Sequence, residues 1–208
     1  MSALEVQQRY YTPEEYLALE RKAKFKSEYY DGQIFNMAGA SDPHNVIAGN
    51  VITALNNGLK GKPCKPRPSD AKVCSSDEGL FSYPDVTVVC GPPQFYDGTK
   101  DVIINPKLLV EILSPSTEGT DRGKKFAKYK QLESFTDYLL ISQDEPQIDH
   151  FIKQADGNWL QKSFSGTDAE IHIASLECTL RLADIYDAVL FSPKLQIRAE
   201  TKRGSKKI

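Results

Sequence analysis

The heptapeptide Lys107-Leu108-Leu109-Val110-Glu111-Ile112-Leu113 sets the fold class. A strand that is apolar on both faces is covered on both sides, which is the habit of mixed and parallel sheets in α/β proteins. Strand alternation puts Glu111 on one face with Leu109 and Leu113, and turns Leu108, Val110 and Ile112 to the other. A carboxylate in such a strand loses hydration that it must recover from a cation, a hydrogen-bond donor or a metal.

Two more strands of this kind lie nearby, Pro84–Cys90 (PDVTVVC) and Asp137–Ser142 (DYLLIS), with a helix predicted between over 121–133. Upstream, Thr12-Pro13-Glu14-Glu15 has the form of a capping box and starts a helix running to about Lys22. Glu28 to Phe35 surrounds an Asp31-Gly32 pair, a hairpin signal. From His44 to Lys60 the residues Ile47, Val51, Leu55 and Leu59 form a stripe that Val46 and Ile52 widen, so this helix packs on a core until Gly61 and Pro63 end it. Asp70–Cys74 is a short, weak strand. Downstream, Gln147–Lys153 and Trp159–Phe164 flank a turn at Ala155–Asn158, and residues 168–191 supply a strand and a short helix. There is no internal repeat and no linker. The expectation is one α/β domain with a mixed sheet over residues 1–197.

The 208 residues are 40% hydrophobic and 26% charged, an ordinary globular balance. A chain of this length buries roughly 70% of its unfolded surface without help from a disulfide or structural metal. The net charge of −2 is uneven: RAETKRGSKKI, from Arg198 to the end, carries +4 and leaves −6 on the rest. A body that acidic is no nonspecific nucleic-acid coat, although a local basic patch remains compatible with it. The basic end, 198–208, lacks apolar periodicity and reads as a flexible tail. Cys64, Cys74, Cys90 and Cys178 form no CxxC pair and have no histidine at ligand spacing, so reduced, buried thiols are expected rather than zinc or a disulfide. No apolar leader and no transmembrane stretch is legible, which predicts a soluble, cytoplasmic protein without membrane contact.

Asp85 opens one buried strand and Glu111 sits inside another; if these strands pair, the carboxylates meet. Two hard oxygen ligands at the end of a sheet suit Mg²⁺ or Mn²⁺. Asp121 and Lys125 are four apart on the following helix, with Lys128 and Tyr129 along much the same side. A lysine beside a carboxylate-bound metal orients water and stabilises a phosphoryl transition state. No organic cofactor is implied.

Tyr83-Pro84-Asp85-Val86, then Leu109-Val110-Glu111-Ile112-Leu113-Ser114-Pro115-Ser116-Thr117, then Asp121-Arg122-Gly123-Lys124-Lys125 with Tyr129, resembles the Uma-two family of restriction-endonuclease-like proteins in the PD-(D/E)XK nuclease superfamily. The resemblance covers roughly residues 9–190, including the Tyr-Thr-Pro-Glu-Glu-Tyr helix, the Glu28–Gly32 hairpin and the His44 helix. It implies an αβββαβ restriction-endonuclease-like core, divalent-metal binding and DNA cleavage. Asp85 takes the motif aspartate's place and Glu111 that of the acidic (D/E), with the Ile112 carbonyl as a third metal ligand. The superfamily lysine, two residues after Glu111, is replaced by Leu113, and Lys125 on the helix is its best match, with Lys124 the neighbour it would exchange with after a register shift. Glu28 and His44 match recurring family positions without an assigned step.

Each residue also has a plainer reading. Asp85 can begin a strand after Pro84, Glu111 can be buried in an ion pair with Lys125 itself, and Asp121 can cap its helix. Lys124, Lys125, Lys128 and Lys130 can be a solvated face, Tyr129 can simply pack, and Ser114 and Ser116 lack the setting of a hydrolase nucleophile. The joint pattern favours a metal-dependent DNA endonuclease with Asp85, Glu111 and Lys125 as its catalytic residues, and a homodimer is the arrangement by which such an enzyme cuts both strands. The alternative is a degenerate nuclease fold that binds DNA or a protein.

Overall fold

The computed structural model describes residues 9–191, so the basic segment 198–208 lies outside the described residues. In chain order the elements are α1 (Pro13–Glu20), β1 (Ser27–Tyr30), β2 (Gln33–Asn36), α2 (Asp42–Gly58), β3 (Cys64–Pro68), β4 (Lys72–Cys74), β5 (Leu80–Ser82), β6 (Val86–Cys90), β7 (Val102–Ile103) and β8 (Leu108–Leu113). There follow α3 (Glu118–Thr120), a π-helical turn at Asp121–Lys125, α4 (Phe126–Tyr129), β9 (Asp137–Ser142), β10 (Gln147–Lys153), β11 (Trp159–Ser165), β12 (Glu170–Ile173), β13 (Cys178–Arg181) and α5 (Leu182–Ile185).

The central sheet has six strands in the order β11-β10-β9-β8-β6-β3. Its β8–β9 pair is parallel, and the crossover between them is the helical segment 118–129; the pairs to either side are antiparallel. Read along the chain as α2, β3, β6, β8, helical crossover, β9, this is the αβββαβ restriction-endonuclease-like core. A second sheet, β2-β1-β5-β4-β7, carries α1 on its outside, and β12 and β13 form a separate hairpin.

β8 behaves as its sequence requires. Leu108, Val110 and Ile112 pack with Ile47, Val51 and Leu55 of α2, while Leu109 and Leu113 pack with Phe126, Tyr129 and Tyr138 on the opposite face. Every residue of β8 is buried, Glu111 included. The Thr12–Glu15 capping box forms in both directions, and Asp31 and Gly32 both take positive φ, as a two-residue hairpin turn between right-twisted strands requires.

Two expectations are corrected. Cys64 and Cys90 form a disulfide: they stand directly opposite each other in the antiparallel β3–β6 pair, a proximity that spacing along the chain does not reveal, whereas Cys74 and Cys178 are free and buried. The helix expected over 121–133 begins earlier, at Glu118, and ends at Tyr129, and its centre widens into the π turn. β3, β5 and β7 were not legible, because each has only two to five residues and takes its pairing from distant neighbours.

Candidate active site

The β6–β8 register ends at Val86 opposite Val110, and one step further would set Asp85 across from Glu111. The β6–β8 ladder stops before it reaches Ile112, so the Ile112 N–H has to find another acceptor. The Asp85 carboxylate is that acceptor: Ile112 N–H donates to Asp85 Oδ2 at 2.7 Å. The same oxygen lies 3.2 Å from Nε2 of His44, in the first turn of α2. Nδ1 of His44 is buried and has no hydrogen-bond partner.

Lys125 projects from the π turn into a group of acids. Its Nζ lies 3.0 Å from Glu28 Oε1, 3.2 Å from Asp121 Oδ1 and 3.4 Å from Glu111 Oε1. Asp121 Oδ1 makes the ion pair without the alignment of a hydrogen bond. Tyr129 donates to Glu111 Oε1 at 3.0 Å and shares a 2.8 Å bond with Ser82. Glu28 also accepts from the Tyr83 N–H, tying the first hairpin to the residues leading into β6. Glu28, His44, Asp85, Glu111, Asp121 and Lys125 line one cavity of about 920 Å³, within the range of small-molecule sites.

The electrostatics follow from burial. Loss of hydration pushes the Glu111 carboxyl well above its usual range, and the neighbouring acids push it further, against the pull of Lys125. Asp121 is raised for the same leading reason. Burial by itself would lower Lys125, but the carboxylates of Glu111, Glu28 and Asp121 outweigh it and hold the ammonium charged well above the ordinary lysine range. Three acids, Glu28, Glu111 and Asp121, thus share one ammonium, and Asp85 lines the same cavity.

Asp85, Glu111 and Lys125 therefore come together, and Ile112 with them, its amide on Asp85 and its residue lining the cavity. Lys124 lines the same cavity but is turned to Tyr30, its Nζ 5.6 Å from the ring centroid. Asp121 does not cap: the backbone before it is already helical and its side chain turns to Lys125. The lysines are not one solvated face either, since Lys125 is buried and Lys128 is held between Asp31 and Asp77. Glu28, His44 and Tyr129 join the site without a step having been assigned to them. For Glu28 the available signal is an acid alternating with aromatic residues in a hairpin strand.

The excess of negative charge suits a cation. Lys125 and Tyr129 both engage Oε1 of Glu111, and His44 and the Ile112 amide both engage Oδ2 of Asp85, so Oε2 and Oδ1 carry none of these contacts. The donor set of two carboxylates and a carbonyl fits a hard divalent ion. Among the described residues, no group of three or more His, Cys, Asp or Glu side chains is arranged to hold a metal on its own, so such an ion would draw on the carbonyl and water.

Residues 13–183 match the family model Uma2, described as "Putative restriction endonuclease". The chain belongs to this family. It is 37% identical over 180 residues to the uncharacterized protein slr1290 of Synechocystis sp., covering 86% of this chain and 93% of that protein. A second Synechocystis protein, sll1609, is 33% identical over 166 residues, 80% of this chain and 94% of its relative. The crystal structure of "a putative nuclease belonging to DUF820" from Anabaena variabilis superposes with a TM-score of 0.70 at 20% identity, covering 86% of this chain and 99% of the other, and so shares the fold. Restriction-endonuclease-like families generally use divalent metals, in keeping with the donor set. No helix among the described residues is long and apolar enough to cross a membrane.

Proposed function

We propose that this Uma2-family chain is a Mg²⁺- or Mn²⁺-dependent endonuclease that hydrolyses phosphodiester bonds in DNA. The observation that carries this reading is the meeting of Asp85, Glu111 and Lys125 at one cavity wall, with Lys125 Nζ 3.4 Å from Glu111. Asp85, Glu111 and the Ile112 carbonyl would hold the metal. Such an ion, when bound, supplies a Lewis acid and lowers the pKa of its water toward neutrality.

The chain's own residues have distinct tasks in this scheme. Lys125 offsets charge on the scissile phosphate and orients the attacking water. Glu28 and Asp121 fix the ammonium from two sides, so its position does not depend on Glu111 alone. Tyr129 holds Glu111 in one rotamer, and His44 with the Ile112 amide does the same for Asp85. A cytoplasmic location accords with this reading.

The test is cleavage of plasmid and linear DNA with Mn²⁺ or Mg²⁺ by the full chain and by Glu111→Ala. The expected result is metal-dependent cleavage that the substitution abolishes; a fully active variant refutes the assignment. The degenerate-module alternative has its own support in Leu113, which replaces the superfamily lysine, and in the existing Glu111–Lys125 pair. Calorimetric titration separates the two, since absence of Mn²⁺ binding at millimolar metal favours the module.

A further inference from the structure

The mouth of the cavity carries apolar side chains left open to solvent. Phe25 is 82% exposed, Phe35 50% and Met37 38%, and all three line the same cavity as Glu111 and Lys125. The placement of Phe35 and Met37 follows from the first hairpin. Glu28 pairs with Phe35, and the Met37 N–H donates to the Lys26 carbonyl, so Lys26, Glu28, Phe35 and Met37 share one face of the ribbon. Glu28 on that face reaches Lys125. The face therefore runs from exposed rings to the buried ammonium.

Charge follows the same path. Lys22-Ala23-Lys24-Phe25 places two lysines beside the most exposed ring, with no acid among them, while Lys26 is held by Asp70 and the Ser69 carbonyl. Lys22 and Lys24 are exposed, and Lys124, also on the cavity lining, stands over Tyr30. Cations interleaved with aromatic rings are what a polynucleotide strand meets when its bases are unstacked. The depth of the site points the same way. Glu111 is 4% exposed and Lys125 7%, whereas a duplex presents its phosphates on the outside of a stiff rod. A single strand can bend into the recess.

We propose that Phe25, Phe35 and the lysines at 22 and 24 form a docking platform for an unpaired polynucleotide strand, bases resting on the rings and phosphates led past Lys124 to Glu111 and Lys125. This names the substrate form for the nuclease reading above and rests on it. The platform takes DNA or RNA, since every base offers a π face.

The experiment is fluorescence anisotropy with the full chain in EDTA, using labelled single-stranded DNA, single-stranded RNA, the same DNA as a duplex, and an abasic strand. Unpaired strands are expected to bind roughly tenfold more tightly than duplex, and Phe25→Ala to weaken them by about tenfold on intact strands only. Lys24→Ala is expected to reduce the slope of log affinity against log salt by about 0.7. Phe25 and Lys24 are exposed, so both variants should fold. Equal or tighter duplex binding overturns the proposal, as does a Phe25→Ala variant with unchanged strand affinity. Sedimentation run alongside covers the other occupant: if Phe25→Ala dissolves a dimer and leaves strand affinity intact, the surface joins two copies and the proposal fails. Failure of the nuclease reading looks different, because strands would then bind as described and survive intact in Mn²⁺.

Discussion

Replacing Lys125 with methionine tests the charge arrangement directly. The side chain keeps its length and loses its ammonium, leaving Glu28, Glu111 and Asp121 facing one another. Each of the three contacts, at 3.0, 3.2 and 3.4 Å, is worth roughly 5 kcal/mol gross at an effective dielectric near 20. Most of that gain is offset by the several kcal/mol needed to strip water from the ammonium and from each of its three acidic partners. The net loss expected at pH 7 is therefore that of a broken buried pair, about 3–5 kcal/mol, a large fraction of the roughly 5–15 kcal/mol that holds a domain together.

The pH dependence has a definite sign. In the wild type, Lys125 has its folded-state pKa above its unfolded value, so its contribution is complete below the ordinary lysine range and fades only above it. Glu111 in the variant loses its one attractive cation, and its already raised pKa rises further. A carboxyl whose folded pKa exceeds its unfolded value costs stability at neutral pH and returns it as pH falls through the folded pKa. The gap between variant and wild type should thus shrink as pH falls from 7 toward the ordinary carboxylate range. Urea denaturation followed by tyrosine and tryptophan fluorescence measures it. Lys125→Met combined with Glu111→Gln should recover part of the loss, which keeps the test open if the single variant folds poorly. A deficit below about 1 kcal/mol that does not change with pH would refute the reasoning.

Other predictions follow from single contacts. Tyr129→Phe removes the donor to Glu111 and the hydroxyl that partners Ser82 and should cost roughly 1–3 kcal/mol in the same denaturation assay. Reducing the Cys64–Cys90 disulfide, which closes a loop with a sequence separation of 26, should lower stability by about 3 kcal/mol, read as a fall in the urea midpoint with dithiothreitol. Asp137 is buried, yet His150, Ser175 and Thr136 outweigh that burial and hold its carboxyl below the usual range. Its contribution is present above the unfolded pKa and lost as pH falls through the folded one, so Asp137→Asn should cost roughly 2 kcal/mol at pH 7 and converge with wild type in acid.

The sequence by itself determined what depends on near neighbours. Alternation in β8 sorted its residues onto two faces, the four-residue stripe from Ile47 to Leu59 marked the packed side of α2, and the capping box and the Asp31-Gly32 turn formed as their chemistry dictates. It also singled out Glu111 as a carboxylate in want of a partner. Tertiary structure decided what those partners are. Glu28 is 97 residues from Lys125 along the chain and 3.0 Å from it in space. Cys64 and Cys90 met because β3 and β6 pair in one register, and Lys125 rather than Lys124 entered the site because the π turn rotates it inward. Local pattern is set by the steric and hydrogen-bonding preferences of adjacent residues. Which distant carboxylate faces which ammonium depends on strand order and register, and those are settled when the whole chain packs.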